Sequence, residues 1–402
     1  MSETIRGNAV VGQSGGPTAV INQSLVGVIE AAKAFPGITK LLGARNGVRG
    51  IVEERFVDLD GVDKELLERV AITPAAALGS TRDKPDQEYC QRIFKSFEKH
   101  DVRYFFYIGG NDSADTARII NELARSAGYE LRVFHIPKTI DNDLRVTDHC
   151  PGYGSAARFV ASAIMGDDRD SASLPGIKID VIMGRHAGWL TAASVLARQD
   201  ENDGPHLIYV PEFPISQNKF VDDVAEVYGR LGRCLIAVSE GIEDGTGVAW
   251  AERLVEQAER DSHGNVQLSG TGALGDYLAE IVKTQVSDKL GGKKLRVRAD
   301  TFGYLQRSFA NYASKVDQKE ARLAGRKAVE YAARGSRDGS VAFRRKEGKY
   351  GVTCFRANLR DVARETKPLP PEFIAPSGND ITAAFRDYAI PLVGELPRLG
   401  KL

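Results

Sequence analysis

Short apolar runs rich in β-branched residues recur along this chain, and each ends in a loop of Gly, Asp, Asn or Arg. Helical period follows the early loops, and that alternation restricts the chain to an α/β fold with doubly wound, mostly parallel sheets. Asn8 to Gly12 (NAVVG) runs into QSGGPT, and the helix behind it carries Val20, Ile21, Leu25, Val28 and Ile29 on one face. Val102 to Ile108 (VRYFFYI) runs into GGNDSADT and a helix striped by Ala117, Ile119, Ile120 and Leu123, with Ser113 or Asp112 placed to cap it. Leu131 to Ile136 ends at PKTIDND, Ile177 to Met183 at MGRHAG, His206 to Val210 at PEFP, and Leu235 to Ser239 at SEG. In open α/β sheets such loops line the crevice at the carboxyl ends of the strands, where ligands bind.

At 402 residues the chain exceeds what one hydrophobic core usually supports. The expectation is two doubly wound, Rossmann-like lobes with the active site in the cleft between them. Residues 1–150 form a donor-binding lobe, 151–335 a second lobe for the acceptor, and 336–402 a hairpin and C-terminal extension packing on the lobes. The helical stretch Gly152 to Ser173 is the place to cross between lobes, and Val341 to Arg356 reads as a hairpin around Glu347, Gly348 and Lys349.

Lys plus Arg and Asp plus Glu both number 54, so no global field draws the chain to nucleic acid or an anionic membrane, and an anion site must be local. The four cysteines have no CxxC spacing, and no apolar stretch approaches a membrane span. With no basic segment and long apolar run at the N-terminus, a cytoplasmic protein is expected.

Gly15 and Gly16, between a strand and a helix, leave backbone N–H groups to meet a phosphate. A tight turn needing positive φ would use the same pair. The pattern GxxxxGK[ST] is absent, as is GxGxxG at this turn, which removes the usual P-loop and dinucleotide readings. Gly109 and Gly110 repeat the arrangement beside Asn111 and Asp112, although Asp112 would serve equally as a helix cap. Between Pro137 and Asp143, one carboxylate can accept a hydroxyl proton, another can orient it or hold hydrated Mg²⁺, and Lys138 can neutralise a migrating phosphoryl group. A solvated acidic turn is the plain alternative.

Taken together, SGGP at 14–17, GGNDS at 109–113, PKTIDND at 137–143, MGRHAG at 183–188, PEFP at 211–214, SEG at 239–241 and GYLQR at 303–307 resemble the phosphofructokinases in identity and order. The resemblance runs from about residue 8 to residue 335. It implies Mg²⁺-dependent phosphoryl transfer to the 1-hydroxyl of fructose 6-phosphate. Asp141 resembles the proton acceptor, with Thr139 and Asp143 beside it, and Gly15, Gly16 and Gly110 the donor cradle. Met183, Gly184 and Arg185 resemble the segment that contacts substrate and donor phosphate. Glu240 matches a sugar-binding glutamate, Glu212 is a weaker candidate, and Tyr304 and Arg307 stand where the family holds the sugar's 6-phosphate. Arg298 matches an arginine that reaches into a neighbouring subunit's site, implying a homodimer whose site is completed across the interface.

Pyrophosphate-using members resemble this chain at Asp112 and Lys138, where ATP-using members tend to carry glycine. The resemblance therefore implies pyrophosphate as donor and a readily reversible reaction. An ATP-dependent kinase and a catalytically silent sugar-phosphate-binding subunit are the alternatives. The chain departs from the family at Asn111, a neutral amide where many members place an aspartate associated with Mg²⁺; Asn111 and Asp143 are the candidate metal ligands. An arginine expected before Met183 falls on Gly176, with Lys178 its possible substitute, while His186 and Trp189 read as turn and packing residues.

Overall fold

The computed structural model describes residues 5–254, 272–363 and 365–401. The chain forms two compact units, Met1–Ser155 with Arg307–Thr366 and Ala156–Gln306 with Lys367–Leu402. The division falls inside the helix Tyr153–Ser173, close to the boundary expected at 150.

The other expected boundaries need correction. Segment 307–335, expected in the second lobe, belongs to the first unit, because the helix Lys315–Ala333 lies directly on the helix Ile21–Lys33. A Cβ on Gly27 would stand 2.1 Å from the Arg322 carbonyl oxygen, and one on Gly325 would stand 2.1 Å from that of Ser24. The backbones meet where neither helix has a side chain. Valine at 325 would force them apart, and overpacking of this kind costs about 3 kcal/mol. We expect Gly325→Val to lower the thermal midpoint measurably; an unchanged melting curve would show that the helices separate without cost. The expected extension divides as well, since residues 336–366 stay with the first unit and only 367–402 join the second.

In the first unit β1 (Gly7–Gln13), β2 (Ile38–Ala44), β3 (Phe56–Asp58), β4 (Val102–Gly109) and β5 (Arg132–Pro137) are joined by β10 (Asp338–Arg345) and β11 (Val352–Ala357). Their order is β11-β10-β5-β4-β1-β2-β3, parallel except at the two edges. β10 and β11 are the hairpin read from sequence. Ala9, Val11, Phe106, Ile108 and Phe134 pack into one core, while Val10, Phe105, Tyr107 and Val133 pack into another. Strands that are apolar on both faces are what a sheet covered by helices on both sides requires. Gln13 pairs with Ile108, and Gly109 with Pro137. Loops 13–18, 109–113 and 137–143 therefore leave adjacent strands at one edge.

The second unit holds β6 (Ile177–Ile182), β7 (Leu207–Tyr209), β8 (Cys234–Ser239) and β9 (Val297–Thr301) in a parallel sheet ordered β7-β8-β6-β9. Ile177, Ile179, Val181, Ile236 and Val238 face its apolar core. Because Ile182 pairs with Ser239 and Val181 with Thr301, MGRHAG, SEG and the turn after β9 emerge side by side.

Candidate active site

In the first unit the glycine turn is built for close approach. Gly15 has φ +74°, and a Cβ there would stand 3.1 Å from Lys138 Nζ; a Cβ on Gly16 would stand 2.8 Å from an Arg307 guanidinium nitrogen. The Gly15 N–H donates to the Thr81 carbonyl at 2.8 Å, and Ser80 Oγ donates to the Gly15 carbonyl at 2.6 Å. Segment 80–84, which sequence reasoning passed over, thus braces the turn. Its only sequence signal was a run of small and charged residues after Gly79.

Lys138 is only 4% exposed, and its Nζ donates to the Gly16 carbonyl at 2.7 Å. Burial pushes its ammonium down to about 8; Asp141 and Asp143 oppose the shift, while Arg307 and Arg82 add to it. The lysine is still mostly protonated at neutral pH. Lys138 and Arg307 at the glycine turn, with Arg82 close enough to act on Lys138, concentrate positive charge locally in a chain of zero net charge.

The backbone beneath Gly109 is held by a residue that sequence reasoning did not single out. His135, fully buried on β5, lies 2.8 Å from the Gly109 carbonyl through Nε2 and 2.8 Å from Ser340 Oγ through Nδ1. Burial pushes its pKa down to about 4, so the ring is neutral, with Nε2–H donating to Gly109 and Nδ1 accepting from Ser340.

Neither Ser113 nor Asp112 caps the helix Asn111–Ser126. Gly110 occupies the N-cap with extended backbone and no side-chain bond, and the Asp112 N–H donates to Asn111 Oδ1 at 2.9 Å. The Asp112 carboxylate instead pairs with Lys84 Nζ at 3.2 Å, both side chains about half exposed at 47%.

In the acidic loop, the Asp141 N–H donates to Thr139 Oγ1 at 3.0 Å, and that hydroxyl approaches Asp141 Oδ2 at 3.4 Å. Asn142 adopts φ 55°, its Oδ1 accepting from the Cys150 N–H at 2.9 Å, which fixes the turn carrying Asp141 and Asp143. Thr139 also bridges to Gly152, whose N–H donates to the buried Asp317 at 2.9 Å.

In the second unit, Gly184 has φ +143° and its carbonyl accepts from Ser239 Oγ. A Cβ on Gly241 would stand 2.0 Å from the Arg185 carbonyl oxygen, so MGR and SEG interlock through glycine. The Met183 N–H donates to Gln306 Oε1 at 3.3 Å. Arg185 pairs with Glu252; sequence reasoning named neither Gln306 nor Glu252. Both line or adjoin this end of the sheet, Glu252 in a cavity of about 220 Å³ that also takes in Arg185, His186 and Glu243. Glu240 is 8% exposed, its N–H bonded to the Ile182 carbonyl at 2.9 Å.

Glu212 has a structural task, since its carboxylate accepts from the N–H groups of Gly188 at 2.9 Å and Leu369 at 2.7 Å. Trp189 is a packing residue, 2% exposed and set against Phe373 and Tyr388. Lys178 is engaged by Asp167 and Asp300 of its own unit. Arg298 and Tyr304 are exposed. Arg307, expected with Tyr304 at the sugar's 6-phosphate, has its guanidinium against Gly16.

The sequence model of the family described as Phosphofructokinase matches residues 8–332. The chain is 55% identical over 389 residues to a pyrophosphate–fructose 6-phosphate 1-phosphotransferase of Rhodospirillum rubrum, covering 97% of this chain and 95% of that protein. A protein of the same description from Xanthomonas campestris is 39% identical over 402 residues, covering 97% and 93%. A crystal structure of a pyrophosphate-dependent phosphofructokinase from Marinobacter aquaeolei superposes with TM-score 0.83 at 34% identity, covering 98% of this chain and 94% of that one.

Proposed function

We infer that this chain, which belongs to the phosphofructokinase family, transfers a phosphoryl group from inorganic pyrophosphate to the 1-hydroxyl of fructose 6-phosphate. The observation that carries the reading is the buried ammonium of Lys138 set against Gly15 and Gly16. Asp141 accepts the hydroxyl proton as that oxygen attacks the terminal phosphorus. The bridging P–O bond breaks, and inorganic phosphate leaves with the bond's electrons. Lys138, with Arg307 and Arg82, offsets the charge carried by the donor in flight. Thr139 orients Asp141. Run backwards, phosphate attacks the 1-phosphate of fructose 1,6-bisphosphate, and the protonated Asp141 returns the proton.

On the acceptor side the reading assigns Met183, Gly184, Arg185, Glu240 and Tyr304 to fructose 6-phosphate, and Arg298 to the site of a second copy in a homodimer. The notion that Arg307 serves the donor phosphates as well as the sugar's 6-phosphate is supported by its guanidinium lying against Gly16.

Asp112 bears on donor choice through volume more than charge, because Lys84 neutralises it. A nucleotide's α-phosphate would meet an ion pair where a glycine would leave room, while pyrophosphate ends short of it. The residues offered to a metal, Asn111 and Asp143 with Asp141 close by, present oxygen only, which suits Mg²⁺ held by one or two carboxylates and the substrate's phosphates. Bound Mg²⁺ would supply further neutralisation of phosphate charge. All four cysteines are free, which fits a reducing cytoplasm, and among the described residues no helix is long and apolar enough to cross a membrane.

With Lys138 titrating near 8, kcat/KM for pyrophosphate should fall as pH rises through that value, because the charged form is the active one. Lys138→Arg should move that alkaline fall beyond pH 10, whatever its effect on the maximum. A profile flat from pH 7 to 9.5 would remove Lys138 from the reaction. The reading itself is tested by phosphorus NMR of the protein with Mg²⁺, pyrophosphate and fructose 6-phosphate: a sugar bisphosphate and phosphate should appear together, and the reverse mixture should regenerate pyrophosphate.

A further inference from the structure

Across the second unit's sheet from its apolar core, three carboxylates converge. Lys178 and Asp180 lie two apart on β6 and share the face that Ile177, Ile179 and Val181 do not. In the register of β6 with β9, Asp300 stands directly opposite Asp180, and Asp167 comes from the helix Tyr153–Ser173. One oxygen of each carboxylate lies within 4.8 Å of the others.

Like charges opposed across paired strands are destabilising, so something must offset them. Lys178 pairs with Asp167 at 3.2 Å and with Asp300, which leaves two negative charges unmatched. The buried member is Asp180, 0% exposed, and no donor group hydrogen-bonds either of its oxygens. An orphaned carboxylate costs far more inside a protein than in water.

We propose that Asp167, Asp180 and Asp300 form a divalent-cation site of this chain. The donors are all carboxylate oxygens, with no nitrogen or sulfur, so the class of ion is the hard one, Mg²⁺ or Ca²⁺. A dication matches the two unpaired charges that Lys178 leaves. Asp180 supplies the buried ligand and Asp300, its side chain 63% exposed, the open side through which the ion enters. The ion clamps the helix Tyr153–Ser173 to β6, the strand that ends in Met183, Gly184 and Arg185.

The test uses the whole protein, stripped with chelator and free of pyrophosphate and sugar, so it does not depend on the phosphotransferase reading. Mn²⁺ is the probe, followed by its electron paramagnetic resonance signal, in an Asp141→Asn, Asp143→Asn background that disables the reaction's own metal site. One Mn²⁺ per chain should bind with a dissociation constant of about 1 mM or below. Asp180→Asn, which keeps the shape, should weaken binding about tenfold or more, and Asp300→Asn, on the exposed side, should weaken it several-fold without threatening the fold. Absence of binding in the background protein overturns the proposal, as does unchanged affinity in both Asp180→Asn and Asp300→Asn.

Discussion

Replacing Asp141 with asparagine should lower kcat in both directions by about a thousandfold or more while leaving the fold and the binding of fructose 6-phosphate nearly intact. The size follows from the role, since a positioned general base contributes on the order of 10² to 10⁴. The change is isosteric, so the hydrogen bond from the Asp141 N–H to Thr139 Oγ1 survives, as does the turn held by Asn142 and Cys150. What disappears is the carboxylate proposed to accept the 1-hydroxyl proton. Single-turnover kinetics separates the outcomes. A collapse of the chemical step with substrate affinity retained fits the assignment; a loss of affinity with the chemical step unchanged makes Asp141 a binding group only.

The second large effect is expected at Lys138. Lys138→Met should lower kcat with pyrophosphate by about 10² to 10³, the usual cost of deleting one preorganised group that stabilises transition-state charge. Its stability effect should run the other way. Burial depresses the folded pKa of this lysine, so the folded state disfavours its charged form. The linkage sign follows: stability contributed by this site is least below pH 8, where the lysine must be held charged, and rises as pH climbs past the folded value toward the unfolded one. Methionine removes the buried charge, and the thermal midpoint at pH 7 should hold or rise as activity falls. Residues that cost stability and supply function are characteristic of active sites. A variant that loses both together would make Lys138 a packing residue whose bond to Gly16 holds the turn.

Much of this was legible in the chain because the informative signals were local. A strand that is apolar on both faces and runs into a glycine turn announces both the sheet and the edge where ligands gather, and β1, β4 and β8 have that form, whereas β5 runs into PKTIDND and β6 carries Lys178 and Asp180 on one face. What sequence missed was set by long-range packing. Nothing near residue 325 says that its glycine meets the backbone at Ser24, so the helix Lys315–Ala333 was placed with the wrong unit. Strands β2 and β3 went unread because ITKLLGA is exposed and polar over its first half and FVD is short, and their pairing with β1 and with each other defines them. Ser80, Thr81 and Lys84 reach the glycine turn and Asp112 from a segment with no motif. Arg307 was assigned with Tyr304 through the likeness of GYLQR to the family, and the approach of its guanidinium to Gly16 depends on a turn far away in sequence.

The donor assignment is tested most directly by kcat/KM for pyrophosphate and for ATP, measured on one preparation with fructose 6-phosphate saturating. Pyrophosphate should be preferred by on the order of a thousandfold or more, and glycine at both 112 and 138 should narrow that ratio, chiefly by losing activity with pyrophosphate. Comparable values for the two donors in the unaltered protein would contradict the account, because the Asp112–Lys84 pair and the buried Lys138 would then not be what selects the donor.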